Sequence, residues 1–492
     1  MKLKAKVLRI ATKGPFVAIL NEFTAELLNV EVLDRILIKK GLKKLVVAVD
    51  FALGESSISK KEIGIFLDVA EAIHIKDGDF VNVKLVPKPA SLNLIKKKLD
   101  KHELTESEVN IIIKDIIDNR LTEVETTYFI SACYVNGLSM SETAYLTKAV
   151  SNNGGKLKFD AKYVLDKHCL GGLGANRTTM IITPIIAAAG FLMPKTSTRS
   201  ITSPAGTSDT MEVLAPVAHS KKEIMRIVKK TNACMVWGGT IDLASADDKL
   251  IRLERPLSLD PEGIMLASIL AKKSAANSTH ILIDIPIGPE TKIKDKEVAK
   301  NLARKFISFG KNFGMKVKVI ITDGSQPVGN GIGPALEARD VLSALEGNGP
   351  RDLRDKSLYM AALMLDMVGV KDSYKKVLEI IDSGTALRKM KEIIKAQGGN
   401  PNVKSKDIEL GKYSFIFKSK KSGNVSYISN NLVCRIAKIA GAPFDKCAGV
   451  YLHEKVNDKV KKNSPLFTIY AESREKLGYA KSLDLNKVYI IG

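Results

Sequence analysis

Between Lys167 and Glu212 the chain sets a Gly/Asn loop, an apolar run and a second loop rich in Ser, Thr and Arg close together. The chemistry that such residues perform is anion binding. Glycines let the backbone approach an anion, N–H groups at a helix N-terminus point at it, and hydroxyls and a guanidinium add charge-assisted hydrogen bonds. In the first loop Lys167 and His168 precede Gly171, Gly172 and Gly174, and the run continues through Asn176 to Thr178 and Thr179. Gly172 and Gly174 would admit close backbone approach, and Thr178 or Thr179 could cap a helix or hold a phosphate oxygen. Taken alone, this loop is read equally well as a tight turn before a buried helix. His168 by itself is more often a core or turn histidine than a base. Cys169 has no activating partner in the sequence and is assigned no role. The second loop runs from Ser197 through Thr198, Arg199, Ser200, Ile201, Thr202, Ser203, Pro204, Ala205 and Gly206 to Thr207, with six hydroxyls and one guanidinium. Asp209 and Glu212 follow at helical spacing. Ser and Thr abound in capped turns, yet this density of hydroxyls beside an arginine favours an anion site.

A second constellation lies in LERPLSLDPEGIMLASILAKK, residues 253–273. Asp260 before Pro261 is a good N-cap with Pro at the first helical position, and on spacing alone capping ranks ahead of catalysis. Ser268 and Lys272, four apart, share a helix face with Asp260 about two turns back, so one face offers a carboxyl, a hydroxyl and an ammonium. Asp247 and Asp248 could bind Mg²⁺ with a diphosphate, but adjacent acids in ADDK read as a solvated turn. The run Gly329-Asn330-Gly331-Ile332-Gly333 follows a strand and opens a helix without the Walker lysine or the Rossmann spacing, and reads as a structural turn. No metal site is expected.

These groups need elements to hold them. The periodicities predict a multidomain α/β chain of four parts. Residues 1–86 alternate short strand-like pieces (KVLRIAT, FVAILN, KLVVAVDF, FVNVKLV) with turns, and form a small β-rich domain. Pro87 and Pro89 mark a linker into a helical lobe, residues 87–164, with capping boxes at Thr105/Glu108, Thr122/Glu125 and Ser139/Glu142. Residues 165–396 form an α/β domain, some of whose helices are free to join the lobe. Its ILIDIPI and VKVIITD segments around a helical stretch imply βαβ units and a mixed, mostly parallel sheet. After the GGNPN turn, residues 397–492 return to YSFIFKS, PLFTIYA and KVYIIG and form a C-terminal α+β domain.

Composition bounds the class. The chain has 492 residues, 45% of them hydrophobic and 26% charged, as in a folded multidomain protein. Five scattered cysteines without a CxxC pair imply reduced thiols and a cytoplasmic setting. The opening MKLKAKVLRIATKG reads as a strand rather than a leader, and the apolar run Met180–Met193 is interrupted by Thr183, Pro184 and Gly190, too short for a membrane span. The net charge of +22 could attract a polyanion. Most lysines, however, interleave with apolar positions in helix-like runs such as IKKKLDK, and no zinc finger, RNP motif or basic arm is present. Solvated lysine faces are therefore expected, and no nucleic acid or membrane partner.

The motifs KHCLGGLGANRTT, STRSITSPAGTSDTMEV and RPLSLDPEG with LASILAKK resemble those of the thymidine phosphorylase family, and most closely its archaeal-type AMP phosphorylase branch. The resemblance covers most of the chain, including the β-rich N-terminal domain. Where pyrimidine nucleoside phosphorylases carry KHSTGGVGD, this chain has Cys169-Leu170 and Ala175-Asn176. Their Gly-His-Thr-Gly-Gly stretch is replaced by Thr202-Ser203-Pro204-Ala205. The resemblance implies phosphorolysis of a nucleoside 5′-monophosphate, with AMP and phosphate giving adenine and ribose 1,5-bisphosphate, and CMP or UMP as further candidates. It implies Asp260 as proton donor, which would need a pKa raised by burial to act near neutral pH. Gly172, Thr198, Arg199, Ser200, Ile201, Thr202, Ser203, Thr207, Ser268 and Lys292 would contact the nucleotide, Arg199 its 5′-phosphate. Lys167, Thr179, Ser197 and Thr207 would neighbour the attacking phosphate, and Arg255 and Lys272 the base. No cofactor is implied, phosphate being a co-substrate, and the oligomer would be a homodimer or larger. A pyrimidine nucleoside phosphorylase, a Mg²⁺-dependent phosphoribosyltransferase and a basic nucleic-acid-binding protein are the competing readings.

Overall fold

The alternation that opens the chain closes a barrel. In Lys2–Leu8 the residues Leu3 and Ala5 point inward while Lys2, Lys4 and Lys6 point out, the period-2 pattern of a half-buried strand. Six strands, Lys2–Leu8, Val17–Asn21, Arg35–Lys40, Lys43–Ala52, Glu62–Phe66 and Phe80–Leu85, close in the order first, fifth, second, fourth, third, sixth. Closure leaves no unpaired edge, and Leu20, Ile36, Ile38, Val49, Ile63 and Val83 fill the interior. The structure, a computed structural model, describes residues 1–492 except Lys13, Glu55, Ser56, Ile201, Thr202, Asp242, Leu243, Ala244 and Ser258, and leaves out the side chains of Ser245 and Arg255.

Two units divide the chain, one of residues 1–154 with 244–271 and one of residues 155–243 with 272–492. In the first, Val86–Pro89 carries no regular structure, and a helical bundle follows the barrel. All three expected capping boxes are formed, at Thr105/Glu108, Thr122/Glu125 and Ser139/Glu142. Arg35 of the barrel pairs with Glu125 of the bundle. Ala246, Leu250, Ile264, Ala267 and Ala271 pack against Ile112, Ile113, Phe129 and Leu146, which explains why 244–271 leave the α/β stretch to complete the bundle.

In the second unit the strands Leu165–Cys169, His280–Ile287 and Lys316–Asp323 form one sheet and Met193–Ser197 and Ala233–Trp237 another. Every pairing in these two sheets is parallel rather than mixed, and a parallel bridge from Val164 to Leu192 links them. The helix Thr178–Ala188 is buried along nearly its whole length, as its apolar run demands, and continues through Pro184. The C-terminal strands Tyr413–Lys418, Gly449–Leu452 and Pro465–Ala471 take the short strand Gly331–Ile332 into their sheet. That pairing gives the Gly329–Gly333 run its structural role: Asp340 accepts the N–H groups of Asn330 (2.6 Å) and Gly331 (2.7 Å) and folds it.

Most lysines are exposed or partly exposed as expected, and four depart from that. Lys98, Lys167, Lys195 and Lys273 are buried rather than solvated, each within reach of a carboxylate or hydroxyl. Asp247 is also buried, in the first turn of the helix Ser245–Glu254, where a solvated turn was expected. Among the described residues no helix is long and apolar enough to cross a membrane. The buried pairs set a contrast within two adjacent lysines. Lys98 holds both oxygens of Glu142 at 2.7 Å, whereas Lys97 pairs with Glu108 at the surface. Lys98→Met leaves a buried carboxylate without its cation and is expected to cost about 3–5 kcal/mol. Lys97→Met should cost below about 1 kcal/mol. Denaturant midpoints of the two variants check this, and equal shifts would sink it.

Candidate active site

Three loops leave the C-terminal ends of adjacent parallel strands. Leu165–Cys169 feeds the Gly loop 170–177, Met193–Ser197 feeds 198–206, and His280–Ile287 feeds 288–295. Beneath the first two lies a buried charge cluster. Asp166 accepts hydrogen bonds from Lys195 (2.9 Å) and Lys273 (2.7 Å), and Lys195 also donates to the Lys167 carbonyl at 2.7 Å. Burial pushes the Asp166 carboxyl upward, but the two ammoniums overcome it and leave it below its ordinary range. Lys167 donates to Thr178 at 2.8 Å and lies 3.9 Å from Asp284, and burial lowers its pKa. His168 is kept neutral by burial and by the lysines around it, which hold its pKa well below the ordinary value. Burial also raises the Cys169 thiol, whose sulfur accepts from Asn176 at 3.3 Å.

The Gly loop is held from outside itself. Gly172 has φ of +88°, and a side chain there would bring a Cβ within 2.8 Å of the Lys292 nitrogen, so only glycine fits. The loop end pairs with Val328, whose carbonyl accepts from Asn176 N–H at 2.7 Å. Arg177, the residue before the helix Thr178–Ala188, makes no side-chain cap. It reaches instead to buried Glu337 (2.5 Å) and to the Ala205 carbonyl of the second loop (2.6 Å). Thr178 and Thr179 lie in the first turn rather than capping it, since Arg177 holds the cap position, and the Thr178 hydroxyl accepts from Lys167.

The second loop folds around Asp209, which accepts the N–H groups of Ser200 (2.6 Å) and Gly206 (2.8 Å). Gly206 lies against the backbone of Thr198 to Ser200, where a Cβ would meet the Thr198 carbonyl at 2.8 Å. Ser200 donates to the Ser203 carbonyl, Ser203 to the Ala205 carbonyl, and Ser197 shares a 2.7 Å hydrogen bond with Ser208. Thr207 opens the short helix Thr207–Met211. Arg199 is engaged by carboxylates, forking onto Glu212 at 2.7 and 2.6 Å over the Trp237 ring, with Lys446 on Glu212 at 3.0 Å.

The second unit carries Lys167 and Ser197 on parallel strands, Gly172, Thr198, Arg199, Ser200, Ser203 and Lys292 on the loops that follow such strands, and Thr179 and Thr207 in the first turns of the next helices. Lys272 also belongs to it, in the last turn of the helix Glu262–Ala275. Ile201, Thr202 and the Arg255 side chain lie outside the described residues. Asp260 and Ser268 belong to the first unit. Asp260 is exposed and stands one residue before the position expected of a cap. The helix begins at Glu262 with its first bond from Met265 N–H to the Pro261 carbonyl, so Asp260 does not extend the face shared by Ser268 and Lys272. The sequence reading missed Asp166, Lys195, Lys273, Arg177, Glu337 and Asn430. Lys195 had a signal in FLMPKTS, a charge inside a strand-like apolar run; Asn430, 256 residues from its partner Gly174, had none.

Residues 92–154 match the helical bundle domain of a glycosyl transferase family, residues 161–387 its a/b domain, and residues 424–490 the pyrimidine nucleoside phosphorylase C-terminal domain. The fold is similar to that of anthranilate phosphoribosyltransferase from Thermus thermophilus, with a TM-score of 0.51 at 16% identity, over 62% of this chain and 98% of that one. Fold and matched segments are those of a glycosyl transferase. AMP phosphorylase of Thermofilum pendens is 43% identical over 493 residues, covering 100% of this chain and 95% of the relative. The AMP phosphorylase of Pyrococcus abyssi is 47% identical over 487 residues, covering 98% and 95%. The chain belongs to the AMP phosphorylase family.

The Arg199 fork has a pH signature. Its hydrogen bonds, with Lys446 adding to them against the opposing effect of burial, hold the Glu212 carboxyl at about 2, against 4.5 ordinarily. A carboxyl lowered in the folded state stabilises above its ordinary value and loses that contribution as pH falls towards 2. Arg199→Ala is expected to raise the Glu212 titration towards 4.5, read by NMR of ¹³C-labelled glutamate carboxyls. An unchanged titration overturns the assignment.

Proposed function

We infer that this chain phosphorolyses AMP, with AMP and inorganic phosphate giving adenine and ribose 1,5-bisphosphate, and that the 167–212 region with Lys292 holds the nucleotide. The observation that carries the reading is the pair of loops, Gly-rich and hydroxyl-rich, side by side at one end of a parallel sheet over buried lysines. Full-length likeness to AMP phosphorylases supports the same substrate, and neither the pyrimidine nucleoside alternative nor the nucleic-acid one is favoured.

Phosphorolysis forms a C1′–O bond to phosphate as the C1′–N9 bond breaks through an oxocarbenium-like state. Phosphate needs little activation as a nucleophile. The protein's task is to place two anions near one sugar and offset their repulsion. Gly172, Thr198, Ser200, Ser203, Thr207 and Lys292, with Ile201 and Thr202, hold the nucleotide, while Lys167, Thr179 and Ser197 lie on the phosphate side. Arg199 takes the 5′-phosphate by turning from Glu212, which keeps Lys446 as its counter-charge at 3.0 Å. Ser268, Arg255 and Lys272 serve the sugar and base. Asp260 gives its proton to the departing adenine. No cofactor takes part, CMP and UMP are further substrates, and the enzyme works in the cytoplasm as a dimer or larger assembly.

Adenine release measured from AMP and from adenosine, each with phosphate, is expected to favour AMP; preference for adenosine overturns the reading. Asp260→Asn should slow turnover on the order of a hundredfold or more while AMP binding survives. Near-normal turnover returns Asp260 to a structural role. Arg199→Ala should weaken AMP far more than adenosine, by about tenfold or more for a lost charge-assisted pair. Equal losses on both substrates contradict its place at the 5′-phosphate.

A further inference from the structure

The C-terminal domain reaches the nucleotide loops through one helix end. Asn430, the first residue of the helix Asn430–Ile439, is buried against the Gly loop. Its side-chain oxygen accepts from the Gly174 N–H at 2.7 Å, and its amide nitrogen donates to the Gly172 carbonyl at 2.5 Å. The neighbouring residues hold the other loop: Ser429 donates through its hydroxyl to Glu290 at 3.0 Å, and the Asn431 N–H donates to the second Glu290 oxygen at 2.8 Å. Glu290 stands two residues before Lys292, and Thr291 between them is pinned by its hydroxyl to the Gly288 and Ile293 carbonyls. The two loops also touch directly, since no Cβ fits between Gly172 and the backbone of Thr291 and Lys292.

We propose that Asn430 and Glu290 are positioning residues for nucleotide binding: the start of this helix clamps the loops bearing Gly172 and Lys292 and fixes their separation. The proposal rests on the reading of those two residues as nucleotide contacts. Loops of irregular backbone have few bonds of their own with which to define a binding geometry. Here the Asn430 amide fills one donor and one acceptor of the Gly loop, and the Glu290 carboxylate fills two donors at the helix start. A carboxylate at that end is also favoured by the helix dipole, so the tie serves both elements. A misplaced cradle loses affinity for the nucleotide before it loses chemistry, because Asp260 is carried by a different segment.

Asn430→Asp separates this role from packing. The variant is isosteric and keeps an acceptor for Gly174, but it removes the donor and sets an oxygen against the Gly172 carbonyl. Its new charge is buried, and the helix start offsets only part of that cost. The expected result is a rise of about tenfold in KM and in the directly titrated Kd for AMP. The kcat at saturating AMP and the KM for phosphate should stay close to wild type, while the buried charge lowers the unfolding midpoint. Glu290→Ala should give the same split. If Asn430→Asp fails to fold, Ser429→Ala, which removes a bond to Glu290 together with the helix cap on the Leu432 N–H, is expected to give a smaller shift in AMP affinity, with about 1 kcal/mol lost in stability from the cap. Unchanged AMP affinity in the folded variants overturns the proposal, as does a loss of kcat and stability with KM unmoved. Failure of the wild-type protein to bind or cleave AMP would instead overturn the substrate reading, and the two failures are told apart by measuring wild type first.

Discussion

A single buried carboxylate, Asp166, ties together the strands from which the Gly loop and the Ser/Thr/Arg loop emerge. It lies on the strand entering the Gly loop, and one of its two cations, Lys195, lies on the strand entering the Ser/Thr/Arg loop. The other, Lys273, comes from the end of the helix Glu262–Ala275. Burying a charge costs several kcal/mol unless it is paired and hydrogen-bonded, so three elements must arrive together or none is satisfied. Lys195 uses a further proton on the Lys167 carbonyl, and so fixes the backbone as well as the charge. In this floor the buried Lys167, Lys195 and Lys273, with half-buried Lys356, face two aspartates, Asp166 and Asp284. Burial lowers the pKa of Lys167 and brings that of Lys273 to about 7, so the cluster joins strands through shared protons as well as through charge.

What the sequence disclosed and what it hid divide along chain separation. Capping boxes span three residues, and all three were legible because both partners fall within one helical turn. The strands His280–Ile287 and Lys316–Asp323 were legible from their own apolar runs, and the barrel from its alternation. Lys273 was not, because a lysine on a helix looks like any solvated lysine until its carboxylate, 107 residues distant, is found; Lys195 showed as a charge inside the strand-like run FLMPKTS, but nothing there named its partner 29 residues away. Arg199 shows the same limit in another form. Its loop marked it as an anion ligand, yet no spacing rule placed Glu212 on its fork and Lys446 behind Glu212. Local grammar names the groups that do chemistry; the groups that aim them lie where only the fold brings them.

The site's location follows from strand order. Reading across the linked sheets, Lys316–Asp323 neighbours His280–Ile287, then Leu165–Cys169, and through the Val164–Leu192 bridge Met193–Ser197 and Ala233–Trp237. The chain begins this array at Leu165–Cys169, builds outward on one side through Met193–Ser197 and Ala233–Trp237, and then returns to build the other side through His280–Ile287. At such a reversal the loops after neighbouring strands depart in opposite directions, and a crevice opens beyond the carboxyl ends. The first loop, standing at the reversal itself, has neighbours diverging on either side of it. Gly172 there packs against the backbone of Thr291 and Lys292 and Gly174 against Asn430, so the loop is braced by a helix from the far end of the chain. The close-packed glycines and the remote Asn430 contacts thus go together: at the reversal the irregular backbone of the first loop is held by groups from beyond the sheet.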